Sequence, residues 1–363
     1  MTYWCPLPWT HLSVNNDGTL RLCSHAQSSS KKFLLDLTVD DLDNDVLNCD
    51  LLKKVRQEML SGEMPEQCIR CKNDGENSRR LREIEKHKDF FTKENAQNIT
   101  TETGYVVDSK FYTYDLRLGN ECNIRCIMCF PGESSQWERD YKGIFGHDYD
   151  KPIGSFWSKD KDQIKLLVDN AKYVKKINFG GGEPFLIKRH KELLELLIEL
   201  CYSNNIELEY STNLTVLPDY ILKYWTHFKH VELCISIDGI GEINNAIRYP
   251  SKWETIEDNL KKLQTLPDNV SAFISSTLGI LNIDTHKDTL KYFDGYPRIK
   301  EVRHHYIVNP KYFSNSIVES EDIQTRKQFV KMFDVFATKQ NQDWHAIFPH
   351  ASSLQKEWKS KYK

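Results

Sequence analysis

The chain has 363 residues, of which 39% are hydrophobic, so it can bury the core of one large unit and of a smaller one. Its 49 Lys and Arg residues nearly balance 52 Asp and Glu residues, so nothing indicates nucleic acid as a partner. The sequence shows neither a secretion signal nor an apolar run long enough to cross a membrane, and we therefore predict a cytoplasmic protein.

Residues 1–80 form the first predicted unit. They are rich in Pro, Asn, Asp and Gly and have no sustained periodicity. Asp17 and Gly18 lie between two short apolar runs and predict a β-hairpin, because both residues suit the positive φ of a tight turn. The apolar residues of this unit are too few for a stable core, so a bound metal would be a physically sensible source of stability. A charged, helical connector follows at 81–108.

Residues 109–310 alternate between strand and helix patterns. We predict six strands, at 111–118, 176–179, 206–212, 231–237, 270–278 and 301–307. Strands separated by helices pair in parallel through right-handed crossovers. Six units are too few to close the usual eight-fold barrel, so we expect an α/β fold with a partial barrel and an active site at the carboxyl ends of its strands.

The last segment, 311–363, is a carboxyl-terminal extension without an assigned role. Phe329, Phe333 and Phe336 recur at helical spacing and predict one aromatic-rich helix. The residues after this helix predict a frayed basic tail.

Cysteines are the most informative residues of the chain, because clustered cysteines in a reducing compartment are typical of metal ligands. Seven of the ten form an amino-terminal set of four and a central set of three: Cys5, Cys23, Cys68 and Cys71, and then Cys122, Cys126 and Cys129. We predict that Cys49 and Cys201 are small buried apolar residues.

The central set has the spacing Cys-x-x-x-Cys-x-x-Cys and directly follows the first barrel strand. Three thiolates can hold a four-iron cluster and leave one iron without a protein ligand. Half of a zinc site is the alternative, although this spacing is unusual for a zinc finger or ribbon. The triad resembles that of the radical SAM superfamily, in which the methionine part of S-adenosylmethionine (SAM) binds the free iron.

A glycine turn ends the second barrel strand, in the run Gly180–Pro184. Successive glycines allow close backbone approach, although an ordinary turn fixed by Pro184 would also use them. The run resembles the GGEP motif of the superfamily. This resemblance implies that Gly181, Gly182 and Glu183 hold the amino group of SAM.

Further candidates for SAM binding lie on the later strands. Ser211 and Asn213 share one strand face and could bind the ribose, or Asn213 could merely start a turn. Ser236 and Arg248 belong to a run that resembles the SIDG segment and following arginine of peptide-modifying family members, which implies that they contact the SAM carboxylate. Met128 stands where the family usually has an aromatic residue, and it could make an apolar contact to adenine.

Cys234 alternates with apolar neighbours on the fourth barrel strand and is predicted to face the barrel lumen. A lumen thiol could donate a hydrogen atom to a substrate radical, as cysteine does in some family epimerases. The alternative is a small buried apolar residue.

The amino-terminal set of four cysteines could hold zinc or an iron-sulfur cluster on spacing alone. Together with Asp17-Gly18 and the Pro-rich start, it resembles the SPASM and twitch modules of radical SAM enzymes. Such modules usually follow the barrel, whereas this one precedes it. The resemblance implies an amino-terminal twitch (half-SPASM) unit with one fully ligated auxiliary 4Fe-4S cluster.

The resemblance as a whole implies a partial (β/α)6 radical SAM barrel preceded by a small hairpin-containing iron-sulfur module. Such an enzyme cleaves SAM reductively to a 5′-deoxyadenosyl radical and abstracts hydrogen from its substrate. We expect a peptide or an amino-acid-derived metabolite as substrate, and a flavodoxin or ferredoxin as electron donor. The alternatives are an iron-sulfur electron carrier or sensor, and a zinc-stabilised binding protein without SAM turnover.

Overall fold

A computed structural model describes residues 3–26, 46–108, 110–150, 157–159, 161–320 and 322–362. These residues contain one eight-stranded sheet. Its strands, numbered in chain order, are β1 (His11–Val14), β2 (Leu20–Arg21), β3 (Thr113–Arg117), β4 (Lys176–Gly180), β5 (Glu207–Thr212), β6 (His230–Ser236), β7 (Val270–Leu278) and β8 (Ile299–Tyr306).

The six barrel strands β3 to β8 are adjacent in chain order, and every neighbouring pair is parallel. This arrangement confirms the predicted α/β fold with a partial barrel. The hairpin β1–β2 continues the same sheet, because β1 pairs in parallel with β3 and places His11 opposite Thr113. The sequence predicted the hairpin but not its place in the barrel sheet.

Helices connect the strands and continue the chain after β8. Within the described ranges they are α1 (Leu7–Thr10), α2 (Asp50–Ser61), α3 (Ile69–Asn73), α4 (Arg79–His87), α5 (Lys93–Ile99), α6 (Ser135–Phe145), α7 (Lys161–Asp169), α8 (Lys188–Glu199), α9 (Asp219–Trp225), α10 (Glu242–Ile247), α11 (Trp253–Leu263), α12 (His286–Phe293), α13 (Ile323–Gln340), α14 (Trp344–Ile347) and α15 (Pro349–Lys361). α11 shows why the crossovers form, since its apolar residues recur every three or four positions and are all buried.

Along the described part of the chain, no helix combines the length and apolar character needed to span a bilayer.

The largest hydrophobic core joins the amino-terminal residues to the barrel. Trp9, Leu12 and Val14 belong to the same buried cluster as Tyr114 and Leu116 of β3. The amino-terminal segment therefore does not depend on its own few apolar residues, because the barrel supplies the other side of its core.

The carboxyl-terminal extension forms a second core with α6 and α10. The predicted aromatic helix is confirmed as α13, whose Phe329, Phe333 and Phe336 are buried. The prediction of a frayed tail is wrong, because Pro349–Lys361 forms the helix α15. Trp358 of this helix is 2% exposed and packs edge-on against Phe329, so tertiary packing offsets the weak amphipathic pattern of the segment.

Candidate functional site

Three central cysteines lie on the loop that leaves the carboxyl end of β3, and they line one open cavity of about 260 Å³. Backbone hydrogen bonds fix this loop against the end of α10 and the residues that follow it. Ile127 N–H donates to Ile247 O at 2.9 Å, and Arg125 N–H donates to Tyr249 O at 2.7 Å. The loop therefore holds its thiols in place without being part of a helix or strand.

The same cavity brings together most of the residues predicted to bind SAM. Besides Cys122, Cys126 and Cys129, its walls include Met128, Gly181, Gly182, Ser211, Asn213, Ser236 and Arg248. They come from the ends of β3, β4, β5 and β6 and from the segment after α10, which converge because parallel strands end at the same edge of the sheet.

Glu183 lies behind the cavity wall, with a side chain that is completely buried. Thr212 Oγ1 donates to Glu183 Oε1 at 2.8 Å, and Asn213 N–H donates to Glu183 Oε2 at 2.8 Å. The carboxylate therefore ties the glycine turn after β4 to the end of β5. This role of Thr212 was not predicted from the sequence. A hydroxyl residue at the end of a buried strand could have indicated it.

Burial raises the pKa of Glu183 to about 7, from an ordinary value of 4.5, and the hydrogen bonds from Asn213 and Thr212 only partly oppose this shift.

A raised carboxyl pKa favours the protonated folded protein. The contribution of Glu183 to stability is therefore complete below pH 4.5 and is lost as the pH rises through about 7. We expect the SAM-free wild type to lose about 3 kcal/mol of unfolding free energy from this group across that range. Glu183→Gln stays neutral and should lack this loss. Urea unfolding of both proteins at pH 5 and pH 8 measures the difference, and equal pH slopes would contradict the prediction.

Arg248 connects the triad to the end of β6. Its Nη1 donates to Cys126 Sγ at 3.5 Å, and its Nε lies 2.8 Å from Asp238 Oδ2. Asp238 Oδ1 also accepts from the Thr277 backbone N–H at 2.6 Å. Asp238 therefore fixes the direction in which Arg248 presents its guanidinium to the cavity.

The thiols of the triad differ in their polar neighbours. Asn213 Nδ2 donates to Cys122 Sγ at 3.8 Å, while Arg248 contacts Cys126. Burial raises the pKa of all three thiols, that of Cys122 to about 12, and the Arg248 guanidinium opposes the rise at Cys126. The metal-free thiols therefore keep their protons at neutral pH, and binding of a cluster must release them.

The four amino-terminal cysteines line a second, more enclosed cavity of about 20 Å³. They come from the segments around α1, β2 and α3: Cys5, Cys23, Cys68 and Cys71. Four thiols are the number of ligands that a fully ligated cluster takes. Among the described residues, no three Cys, His, Asp or Glu side chains form a group that could hold a single metal ion. The structure therefore brings together all four residues that the sequence grouped.

Arg79 lies between this second cavity and the barrel lumen. Its side chain lines the cavity beside the cysteines. On the other side, Arg79 Nε lies 3.3 Å from Glu83 Oε1, and Arg79 Nη1 lies 3.6 Å from Asp115 Oδ2 on β3. The connector helix α4 thus supplies a cation to the cysteine set, and the ion pair of Arg79 with Asp115 joins this helix to the barrel.

Cys234 lies on β6 in register with Ser211 of β5 and Phe273 of β7. Its side chain is partly buried, and burial raises the pKa of the thiol to about 11, so the S–H bond is intact at neutral pH.

Among the other cysteines, Cys49 is half-buried and Cys201 is exposed. The prediction of a buried Cys201 is therefore wrong, because the chain turns at this residue with a positive φ of 57° directly after α8.

Comparisons with known proteins found a family profile, a relative and several solved structures that are similar to this chain. A sequence profile of the radical SAM superfamily matches residues 116–293. An uncharacterized protein of Methanocaldococcus jannaschii is 28% identical over 183 residues, which are 49% of this chain, and the match spans 56% of that relative.

Solved structures with a similar arrangement include anSMEcpe with bound AdoMet, at a TM-score of 0.42 and 20% identity over 62% of this chain and 58% of that chain. Streptococcus suis SuiB bound to S-adenosylmethionine aligns at a TM-score of 0.39 and 13% identity, over 65% of this chain and 49% of that chain.

The matched segment begins in β3, ends at α12 and contains both the cysteine triad and the glycine turn. Residues 116–293 are therefore similar in sequence to the radical SAM superfamily.

Proposed function

We propose that this protein is an enzyme that binds a 4Fe-4S cluster at the central triad and cleaves SAM reductively. One observation carries the proposal: three thiols and seven further residues predicted for SAM binding line a single open cavity at the strand ends. A fully ligated electron-transfer site would need no such cavity beside its cysteines.

When bound, the cluster supplies one electron to SAM, which yields methionine and a 5′-deoxyadenosyl radical. The residues of the chain bind and orient the reactants. Gly181 and Gly182 line the cavity where the amino group of SAM would bind, and Arg248 offers a cation for its carboxylate. Ser211 and Asn213 are placed for the ribose, and Met128 for the adenine. Asp238 keeps Arg248 aligned, and Glu183 holds the glycine turn.

We assign the amino-terminal cysteine set to an auxiliary 4Fe-4S cluster in a twitch-like unit. The enclosed cavity with four thiols supports this assignment, because it offers a complete ligand set. Arg79 would balance part of the negative charge of four thiolates. Full ligation makes this cluster an electron conduit or a structural centre, with a flavodoxin or ferredoxin as the external donor.

For the substrate we propose a peptide or an amino-acid-derived metabolite that enters the lumen and loses a hydrogen atom to the 5′-deoxyadenosyl radical. The polar row of Ser211 and Cys234 beside Phe273 supports a substrate with both polar and apolar parts. Oxidation, epimerisation and cross-linking are the reaction types that this chemistry allows.

The central test compares the anaerobically reconstituted wild type with the variant Cys122→Ala/Cys126→Ala/Cys129→Ala. We expect about eight irons per chain in the wild type and about four in the variant, since each 4Fe-4S site holds four. Reductive cleavage of SAM to 5′-deoxyadenosine should occur only in the wild type. Iron loading without SAM cleavage in the wild type would instead identify an electron carrier, and zinc in place of iron would identify a structural metal site.

Cys234→Ala tests the hydrogen donor separately. A protonated thiol beside the substrate radical should exchange with solvent and deliver deuterium to the product in D2O. We expect the variant to keep SAM cleavage within about twofold, because Cys234 does not line the SAM cavity, but to lose deuterium incorporation. Mass spectrometry of the product measures this, and unchanged incorporation would exclude Cys234.

A further inference from the structure

The turn of the amino-terminal hairpin lies at the same end of the sheet as the SAM cavity. β1 is parallel to β3, with Val14 opposite Leu116, so the turn at 15–19 lies beside the start of the cysteine loop. Trp157 fixes the two together, because its Nε1 donates to Asn15 O at 2.9 Å and to Arg117 O at 3.1 Å.

Asn16, in this turn, contacts the segment that follows the cysteine triad. Its side chain is 8% exposed, and Nδ2 donates to Gly132 O at 2.7 Å and to Glu133 Oε2 at 3.3 Å. The atom that approaches a carbonyl oxygen this closely must be the amide nitrogen, so the orientation of the side chain is fixed.

The other end of the Asn16 amide faces the glycine turn. Oδ1 lies 2.4 Å from the position that a Cβ would take at Gly181, so only glycine leaves room for it. Within the described residues, this buried oxygen has no hydrogen-bond donor. A buried acceptor without a donor is rare in native proteins and often marks a place where a further group binds.

Glu133 completes the contact between the two segments. Its backbone oxygen accepts from Gly182 N–H at 3.1 Å, and its side chain lines the SAM cavity and forms an ion pair with Arg117. Asn16 thus contacts both sides of one gap: Gly132 and Glu133 on one side and Gly181 on the other.

We propose that Asn16 is a positioning residue of the SAM site, supplied by the hairpin from outside the matched radical SAM segment. Its amide sets the distance between the loop after the triad and the glycine turn, and its free Oδ1 adds an acceptor beside the turn that receives the SAM amino group. This inference rests on the proposed function, which assigns the turn to SAM.

The experiment uses the anaerobically reconstituted full chain and three variants. Asn16→Ala removes both contacts, and Asn16→Asp places a carboxylate against Glu133. Asn15→Ala is the matched control, because among the residues that the structure describes the Asn15 side chain bonds only within the turn, to Thr19 Oγ1 at 2.8 Å. SAM affinity is measured by equilibrium binding, and the electron paramagnetic resonance of the reduced triad cluster is recorded with and without SAM.

We expect Asn16→Ala to raise the Kd for SAM at least tenfold and to weaken the SAM-induced change in the spectrum. Asn16→Asp should bind SAM more weakly still, and Asn15→Ala should stay within twofold of the wild type at a similar melting temperature. If the wild type binds SAM, two results would overturn the inference. One is an unchanged SAM affinity in Asn16→Ala, and the other is an equal loss of SAM affinity in Asn15→Ala. A wild type that binds no SAM would instead refute the proposed function itself.

Discussion

Replacing Asp238 with alanine is expected to destabilise the protein by about 3–5 kcal/mol and to abolish productive SAM binding. Asp238 is 2% exposed and Arg248 8% exposed, so the variant leaves a cation buried without its partner. It also leaves the Thr277 backbone N–H without an acceptor. Urea unfolding of the metal-free protein measures the loss of stability, and SAM binding to the reconstituted protein measures the loss of alignment.

Two variants separate these causes. Asp238→Asn can still accept from the Thr277 N–H but carries no charge, so we expect a loss of stability between those of wild type and Asp238→Ala. Asp268→Ala is the matched control, because Asp268 also pairs with an arginine, Arg298 at 3.6 Å, but its side chain is fully exposed. An exposed pair contributes little, so the control should unfold like the wild type. A similar loss in Asp268→Ala would refute the role of burial.

Arg56→Ala is the second substitution with a large expected effect, about 3–5 kcal/mol of unfolding free energy. The Arg56 side chain on α2 is completely buried and cationic, since burial lowers its pKa only to about 10. It donates to Gly104 O and Pro8 O at 2.9 Å each, and also to Leu47 O and Asn48 Oδ1. Alanine would leave a cavity, and it would leave several buried acceptors without hydrogen-bond donors. Each of these two changes lowers the free energy of unfolding.

The effect of Arg56 should appear first in the amino-terminal segment, because all its acceptors lie within residues 8–104. Limited proteolysis should cut Arg56→Ala in this segment under conditions that leave the wild type intact. Lys54→Ala on the same helix is the control, since the Lys54 side chain is 68% exposed and pairs only weakly with Glu58. Equal protease resistance of Arg56→Ala and Lys54→Ala would contradict the prediction.

The fold class was predictable from the sequence because its signals are local. Each barrel strand is a short apolar or alternating run, and each crossover helix buries residues three or four positions apart, as α11 does. The partial barrel followed from counting these units. The helix α15 was not predictable in this way, because its stability comes from packing Trp358 against Phe329.

The candidate site was only partly predictable. Cys122 and Gly181 were found because they stand in short motifs after strands, where parallel topology brings them together. Arg248 was found because it follows the run that ends β6. Asn16 and Asp115 carry no such signal, since their partners lie far along the chain. Pairing of β1 with β3 brings Asn16 to the site, and no local pattern encodes that pairing.

By itself, the sequence determined the repeated strand-helix units, the two cysteine sets and the motif residues at the strand ends, because spacing along the chain encodes them. The tertiary structure alone decided that Asn16 approaches Gly181, that Arg79 lies between the second cavity and Asp115, and that Glu183 is held by Thr212 and Asn213. These contacts join segments distant in the sequence, and they depend on strand order and burial, which only the folded chain specifies.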